Sequence, residues 1–171
     1  LAWGARNRPP EGIDEQLELI FAKGLEHERR YLAHLYQSTG DVVEIPENVD
    51  RVAAEAQTVA AMRAGHRVIY QATLYDGSWV GFADFLLRRD GRVSTFGGYA
   101  YDIADTKLAR RLKVPALLQM AAYAQRLEHL QGVAPRHLVV VTGDNREHAW
   151  RPVSYTHLRA HETDSYLVCR L

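Results

Sequence analysis

The sequence predicts an α/β domain in which helices pack on a mixed β-sheet. Apolar residues recur at helical spacing over about 13–37. Three β-branched and aromatic runs then follow one another between turn residues, as in a meander. A helix over about 115–131 joins them to one more buried strand at 136–142. A three-strand meander followed by a helical crossover and a further strand gives a mixed sheet.

The first helix contains an acid where an apolar residue is expected. Ser38 to Asp41 ends this helix, and 42–45 is a short strand candidate. Glu28 falls near the middle of the apolar stripe and His27 at its edge, which is the anomaly of this helix. The stripe consists of Leu17, Ile20, Phe21, Gly24, Glu28, Tyr31, Leu32 and Leu35.

Capping and turn residues mark the elements that follow. Asp50 is placed to cap an alanine-rich helix over about 51–64, and Gly65 ends it. Asp76-Gly77 predicts a hairpin between the first two strands of the meander, and Asp90-Gly91 predicts a second turn. The three strands are expected at about 66–75, 79–89 and 99–107, the last of them preceded by Gly97-Gly98.

The third strand carries an acid and a lysine on one face. Ile103, Asp105 and Lys107 alternate along it and therefore point the same way. Two buried charges cost several kcal/mol each unless they are paired or bind something. A metal ion bound by the acid, with the amine facing a phosphate, accounts for both, and Asp84 is a second acid on the neighbouring strand. The alternative is a cross-strand ion pair on a solvated face.

Composition limits the classes of function. A chain of 171 residues fits one domain, and its 21 basic residues equal its 21 acidic ones, so net charge gives no nucleic-acid signal. The single cysteine, Cys169, excludes an internal disulfide, and without a long apolar run or signal peptide we expect a cytoplasmic protein without membrane contact. A nucleic-acid binder would need a metal or a local basic patch, and the candidates for that patch are Arg88, Arg89, Arg110, Arg111 and Lys113.

Four motifs in order resemble those of RecB-like nucleases in the PD-(D/E)xK superfamily. The resemblance covers about 13–144 and is closest to a branch often joined to a helicase. It implies a restriction-endonuclease-like mixed β-sheet core flanked by helices. The motifs are Gly24-Leu-Glu-His27-Glu28, Gly81-Phe-Ala-Asp84, Asp105-Thr-Lys107 and Gln119-Met-Ala-Ala-Tyr123, and the stretches Thr58–Met62, Val68–Gln71 and Asp105–Arg110 reinforce them.

The resemblance assigns a role to each matching residue. It implies that Asp84 and Asp105, with the backbone carbonyl of Thr106, bind Mg²⁺ or Mn²⁺, and that Lys107 positions the attacking water and offsets charge on the phosphate. His27 matches a metal-binding helix histidine, and Glu28 is the alternative or accessory acid. Gln119 and Tyr123 match a motif that borders the site and holds the nucleic acid or the lysine; Arg110 is a further candidate contact to nucleic acid.

Each of these residues also has a plainer explanation. His27 alone could be a satisfied helix-face histidine, and Glu28 could form an ion pair with Arg67 or Lys107. Gln119 and Tyr123, four apart on a helix, could simply cover the core. Asp102 lies on the strand face opposite Asp105, so we expect it either to have a structural role or to support residues of the site without contacting the metal itself.

The resemblance implies metal-dependent hydrolysis of DNA phosphodiester bonds, on single-stranded ends in repair or recombination. A helicase domain or partner is expected with it, and some relatives also hold an iron–sulfur cluster. One alternative is a non-catalytic nucleic-acid-binding module with a nuclease fold. The other is a metal hydrolase that acts on small phosphoesters.

The two ends of the chain are set apart from this domain. Residues 1–12 read as an irregular lead-in, and 13–152 form the expected, truncated nuclease domain. The segment from Val153 onward resembles a translated sequencing adaptor, so we expect a non-native tail at 153–171. We therefore assign no metal site to the tail residues His157, His161, Glu162 and Cys169.

Overall fold

The computed structural model describes residues 15–108 and 114–151. The chain alternates helices and strands, as the sequence predicts. The helices are α1 (Glu15–Thr39), α2 (Arg51–Ala64) and α3 (Val114–Gln131). The strands are β1 (Val42–Glu44), β2 (Val68–Tyr75), β3 (Val80–Ser94), β4 (Gly97–Lys107), β5 (Leu138–Thr142) and β6 (Glu147–Trp150).

The strands form one mixed sheet in the order β1-β2-β3-β4-β5-β6. β2, β3 and β4 are the expected antiparallel meander. β1 pairs parallel to β2 across α2, and β4 pairs parallel to β5 across α3, so each of these helices is a crossover. The predicted α/β class with a mixed sheet flanked by helices is therefore confirmed.

The sheet is buried on both faces because its strands place apolar residues on alternate sides. On one face Ile69, Leu86 and Ile103 pack in a core shared with α2 and α3. On the other face Phe85 and Val139 pack against α1. The sheet is thus the middle layer of three, and any polar group in its centre must find its partner inside the protein.

Local signals fix the ends of α2 as predicted. Asp50 Oδ1 accepts hydrogen bonds of 3.0 Å from the backbone nitrogens of Val52 and Ala53. Gly65 closes the helix with φ 77°, a left-handed conformation that glycine adopts without a steric penalty. A cap at the start and a glycine just past the end give α2 its length of 14 residues.

The turn predicted at Asp90-Gly91 is wrong. β3 continues to Ser94 and β4 starts at Gly97, so the chain reverses at Thr95-Phe96. Gly91 has φ 75° inside β3, and the pairing register shifts between Asp90 and Ser94. The Asp-Gly pair therefore bends a long strand at a bulge, which uses the same glycine conformation as a turn does.

The sequence did not predict β6. Its four residues are exposed and lack the alternation that identifies strands. After β5 the chain turns at Gly143 to Asn145, where Asn145 has φ 60°. Pairing with β5 makes a strand of a segment that has little strand signal of its own.

None of the described helices is long and apolar enough to cross a membrane.

Candidate active site

The candidate site lies where β3 and β4 separate. Their pairing runs from the hairpin as far as Phe85 and Ala104 and then stops, while β4 continues beside β5 to Lys107. Asp84 and Asp105 are the next residues after that last pair. Asp84 Oδ2 accepts hydrogen bonds from the backbone nitrogen and the hydroxyl of Thr106, at 2.8 and 2.9 Å. A carboxylate thus bridges the two strands at the point where their ladder ends.

Asp105 is buried without a well-aligned hydrogen bond to its Oδ2. The residue is 3% exposed, and Lys107 Nζ lies 2.6 Å from that oxygen as an ion pair. Burial, and then the charge of Asp84, raise the pKa of Asp105 above its usual range, while Lys107 opposes both effects. Two acids with one lysine leave excess negative charge in a place that water reaches poorly.

Lys107 keeps its proton in this setting. Burial alone would lower the pKa of its amine, but the charges of Asp105 and Asp84 outweigh burial and raise that pKa. The side chain is 36% exposed, so Lys107 is only partly covered by the protein. Lys107 is a cation beside the two acids and at the edge of the site.

Glu28 reaches the same acids from α1. It is 7% exposed, and its Oε1 accepts hydrogen bonds from the Tyr70 hydroxyl at 2.9 Å and from Gln71 Nε2 at 2.6 Å. Burial, and then the charge of Asp84, raise the pKa of Glu28 to about 7, against the opposing effect of those hydrogen bonds and Lys107. Glu28 is therefore a third acid facing Asp84. The expected ion pair with Arg67 or Lys107 does not form, because Glu28 is held by Tyr70 and Gln71 and Lys107 pairs with Asp105.

A strained backbone position supports Glu28. Gln71 lies in β2 with φ 55°, which costs a non-glycine residue on the order of 1 kcal/mol or more. Its amide is held against Glu28, and the β2–β3 pairing omits Gln71 and Asp84. The sheet is thus irregular on both strands at the level of the acids.

His27 lies next to Glu28 in sequence but has a different partner. The ring is fully buried, and Nε2 lies 3.0 Å from the backbone oxygen of Val141, which pairs with Thr106 across β4 and β5. A carbonyl only accepts, so Nε2 donates, and in the neutral ring Nδ1 then carries a lone pair. That nitrogen has no hydrogen-bond partner among the described residues.

Tyr123 and Gln119 border the acids from α3, and Gln119 Nε2 donates to the Tyr123 hydroxyl. Tyr123 is buried; burial, and secondarily the charges of Asp105 and Asp84, raise the pKa of its hydroxyl, which remains protonated at neutral pH. A Cβ on Gly81 would overlap the rings of Tyr123 and Trp79. Gly81 is therefore needed for Tyr123 to approach, whereas a Cβ on Gly24 would meet only ordinary contact with Leu108.

Arg110, Arg111 and Lys113 lie outside the described residues, as do both ends of the chain at 1–14 and 152–171. Of the expected basic patch, Arg88 and Arg89 are described, and they lie farther along β3 than the acids. Arg88 is held by Asp90 and by the backbone oxygen of Gly65. Arg89 pairs with Asp102.

The donor types fit a hard divalent cation, although the described residues contain no group of three or more His, Cys, Asp or Glu side chains placed to hold a metal ion together. Asp84, Asp105 and Glu28 offer oxygen donors, which Mg²⁺ and Mn²⁺ prefer. A cation would also relieve the repulsion that raises two of the acid pKa values. Among the described residues, His27 Nδ1 is a buried atom without a hydrogen-bond partner, and the buried Asp105 Oδ2 has only its ion pair with Lys107.

Sequence reasoning gave no role to the residues that hold Glu28. Both Tyr70 and Gln71 belong to the motif stretch Val68–Gln71, which by itself assigns them no contact. The sequence does contain one signal for this contact, which is the Gln71 amide inside the buried run Val68 to Leu74. A side-chain amide in such a run needs a polar partner elsewhere in the protein. A glutamate at the centre of the apolar stripe of α1 is the partner that this signal implies.

No protein-family model matches this chain, and no curated protein matches it.

Proposed function

We propose that this chain is a restriction-endonuclease-like nuclease that hydrolyses DNA phosphodiester bonds with Mg²⁺ or Mn²⁺. One observation carries the proposal. Asp84, Asp105 and Lys107, the residues of the expected motif, meet where β3 and β4 separate, and a buried oxygen of Asp105 lacks an aligned hydrogen bond there. The ordered motifs of the RecB-like family support the same conclusion.

Asp84, Asp105 and the backbone carbonyl of Thr106 would hold the cation in this proposal. Either Glu28, which faces Asp84, or His27 Nδ1, which has no partner among the described residues, would complete its ligands. A divalent cation in such a site supplies polarisation of a phosphoryl oxygen and a lowered pKa of bound water.

The other residues would position the substrate and balance its charge. Lys107 retains its proton between two acids, so its ammonium group can face a phosphate oxygen as negative charge develops there. The Tyr123 hydroxyl is held by Gln119 and stays protonated, so it can donate a hydrogen bond to the DNA strand or orient Lys107. Arg110 remains a predicted contact to nucleic acid.

The test is cleavage of end-labelled single-stranded DNA by the whole chain with Mn²⁺, Mg²⁺ or EDTA. Metal-dependent cleavage that is lost in Asp105→Ala and Lys107→Ala, both shown to be folded, supports the nuclease and its site. Glu26→Gln is the matched control, because Glu26 is exposed on α1 two residues before Glu28. Cleavage that survives in either active-site variant would overturn the proposal.

The same experiment separates the two alternatives. Binding of DNA by a folded protein that neither cleaves it nor binds a metal would indicate a non-catalytic module. Hydrolysis of small phosphoesters, with no competition from single-stranded DNA, would indicate a small-molecule hydrolase. A helicase partner is a further prediction of the resemblance, and co-purification with the native chain would test it.

A further inference from the structure

A cleft at the other end of the β3–β4 hairpin collects arginines. It has a volume of about 460 Å³ and is formed by the outer part of β3, by β4 and by the loop before β5. Its lining includes Arg89, Arg92, Arg136 and His137, with the buried Asp102 at its base. The chain as a whole is neutral, so a concentration of arginines in one cleft is a local departure from its average.

The acids of the cleft do not neutralise all of its arginines. Asp90 is paired with Arg88, and Asp102 is paired with Arg89. Both oxygens of Asp102 are already used. Oδ2 faces Arg89 Nε and the His137 ring, and Oδ1 accepts hydrogen bonds from the backbone nitrogens of Arg136 and His137. Among the residues that the structure describes, Arg92 and Arg136 have no acidic partner in the cleft.

Arg92 is fixed in place with one donor unused. Its Nη2 donates to the backbone oxygen of Ala134 at 2.9 Å, which holds the guanidinium against the loop. Its Nη1 is buried and has no acceptor among the described residues. Arg136 extends this positive surface to the exposed rim of the cleft. The contact to Ala134 fixes the position of the Arg92 charge, and together with the exposed Arg136 it gives the cleft a positive potential that attracts phosphate groups.

We propose that this arginine cleft binds phosphate groups of a nucleic-acid strand, at a position separate from the Asp84–Asp105 site. Only the choice of nucleic acid as the ligand rests on the proposed function; the anion site itself does not. Asp102 and Asp105 are three residues apart on β4, which is about 10 Å along a strand. The two side chains point to opposite faces of the sheet, so the cleft is a contact separate from the acids and not a continuation of their site.

Binding without cleavage tests the proposal. The whole chain is titrated in EDTA into a fluorescently labelled 20-nucleotide single strand at several salt concentrations, and anisotropy is recorded. We expect Arg92→Gln combined with Arg136→Gln to weaken binding about tenfold and to reduce the slope of log K against log salt by about 1.4, since single strands lose about 0.7 per phosphate contact. Arg51→Gln, which removes an exposed arginine of α2 outside the cleft, should change neither quantity.

Two further measurements make the result decisive. Arg136→Gln alone covers the case in which loss of the Arg92 contact damages folding, and it should reduce the slope by about 0.7. Inorganic phosphate and a nucleoside monophosphate are then tested for thermal stabilisation. Stabilisation by these ions that disappears in the double variant, with unchanged oligonucleotide binding, would overturn the nucleic-acid assignment in favour of a small-anion site.

Different results would contradict the phosphate-binding proposal for the cleft and the nuclease proposal. Asp105→Asn should lower cleavage by about 10³-fold and keep the full salt slope, because it leaves the arginines of the cleft in place. If Asp105→Asn still cleaves, the nuclease proposal fails while the slope measurements in EDTA remain valid. If the arginine variants bind the oligonucleotide with the affinity and the salt slope of the wild type, the cleft does not bind its phosphates, whatever the cleavage result.

Discussion

Asp102 and Asp105 are both buried aspartates of β4, and they differ in how the protein compensates their charge. Asp102 accepts two backbone hydrogen bonds, of 2.6 and 3.1 Å, and pairs with Arg89 at 3.2 Å. Asp105 has Lys107 at 2.6 Å, lacks an aligned hydrogen bond to Oδ2, and lies beside a second acid, Asp84. A buried acid whose charge is fully compensated joins parts of a fold, whereas one that shares a single lysine with a neighbouring acid is typical of a binding or catalytic site.

The difference arises from what adjoins β4 at each point. At Asp102 the strand is paired with Leu87 of β3, and the chain entering β5 brings backbone N–H groups to the carboxylate. At Asp105 strand β3 has already separated, and the nearest polar groups are acids and Lys107. The same residue type in one strand therefore has two different roles, and the expected structural role of Asp102 agrees with its contacts.

The largest expected effect is on DNA cleavage, and it comes from a change at Asp105. Asp105→Asn should lower kcat/KM for single-stranded DNA by about 10³-fold, or about 4 kcal/mol of transition-state stabilisation. Its free energy of unfolding should stay equal or increase, because the change removes repulsion between Asp84 and Asp105. Cleavage kinetics with Mn²⁺ and urea unfolding in EDTA measure the two quantities. Lost stability with intact cleavage would give Asp105 the structural role that we assign to Asp102.

The next effect is on stability at the compensated acid. Asp102→Asn should lower the free energy of unfolding by about 2–3 kcal/mol, since one oxygen remains for three donors and Arg89 loses its counter-charge. Urea unfolding measures it. The control is Asp90→Asn on the exposed part of β3, which should stay within about 0.5 kcal/mol of the wild type. A change of that small size in Asp102→Asn would mean that its contacts do not stabilise the fold.

The free energy of unfolding should depend on pH through Glu28, which lies at the Asp84–Asp105 end of the sheet. Glu28 has a folded pKa of about 7 against an ordinary 4.5, so its contribution to stability is complete below about pH 4.5 and is lost as pH rises through about 7. The protein in EDTA should lose on the order of 2 kcal/mol from Glu28 between pH 5 and pH 8. Urea unfolding at both pH values should show this loss in the wild type and a smaller one in Glu28→Gln. Equal losses would show that Glu28 does not carry the effect.

The smallest effect compares two glycines of the meander. Gly81→Ala should cost about 1 kcal/mol, because its Cβ overlaps the rings of Tyr123 and Trp79, which must shift. Gly98→Ala in β4 meets nothing within 4 Å and should change the free energy of unfolding little. Thermal unfolding of the two variants measures the contrast. Equal melting temperatures would show that Tyr123 is not closely packed over β3.

Local signals predicted most of the fold. Asp50 and Gly65 fixed the ends of α2, and the β-branched runs gave the meander, since these features depend on residues that are neighbours in sequence. The turn at Asp90-Gly91 was wrong because a glycine with positive φ serves a bulge as well as a turn. β6 was missed because its pairing with β5, and not its own sequence, makes it a strand.

The candidate site was predictable as a set of residues but not as an arrangement. Sequence singled out Asp84, Asp105, Lys107 and Glu28, and the structure places all of them where β3 and β4 separate. It could not choose between His27 and Glu28, because adjacent helix residues point in different directions by amounts that only packing decides. Nor could it find that Tyr70 and Gln71 hold Glu28, since they lie more than 40 residues away in the chain.

The sequence by itself determined the α/β class, the order of the predicted elements and which acids stand at unusual positions. Periodicity and helix capping depend on residues that are close in sequence. Only the tertiary structure decided which acids are compensated. Compensation depends on groups brought together from distant parts of the chain, such as Arg136 with Asp102 and Thr106 with Asp84. The free energy of a buried charge is set by those neighbours in space, so two aspartates three residues apart can differ as much as Asp102 and Asp105 do.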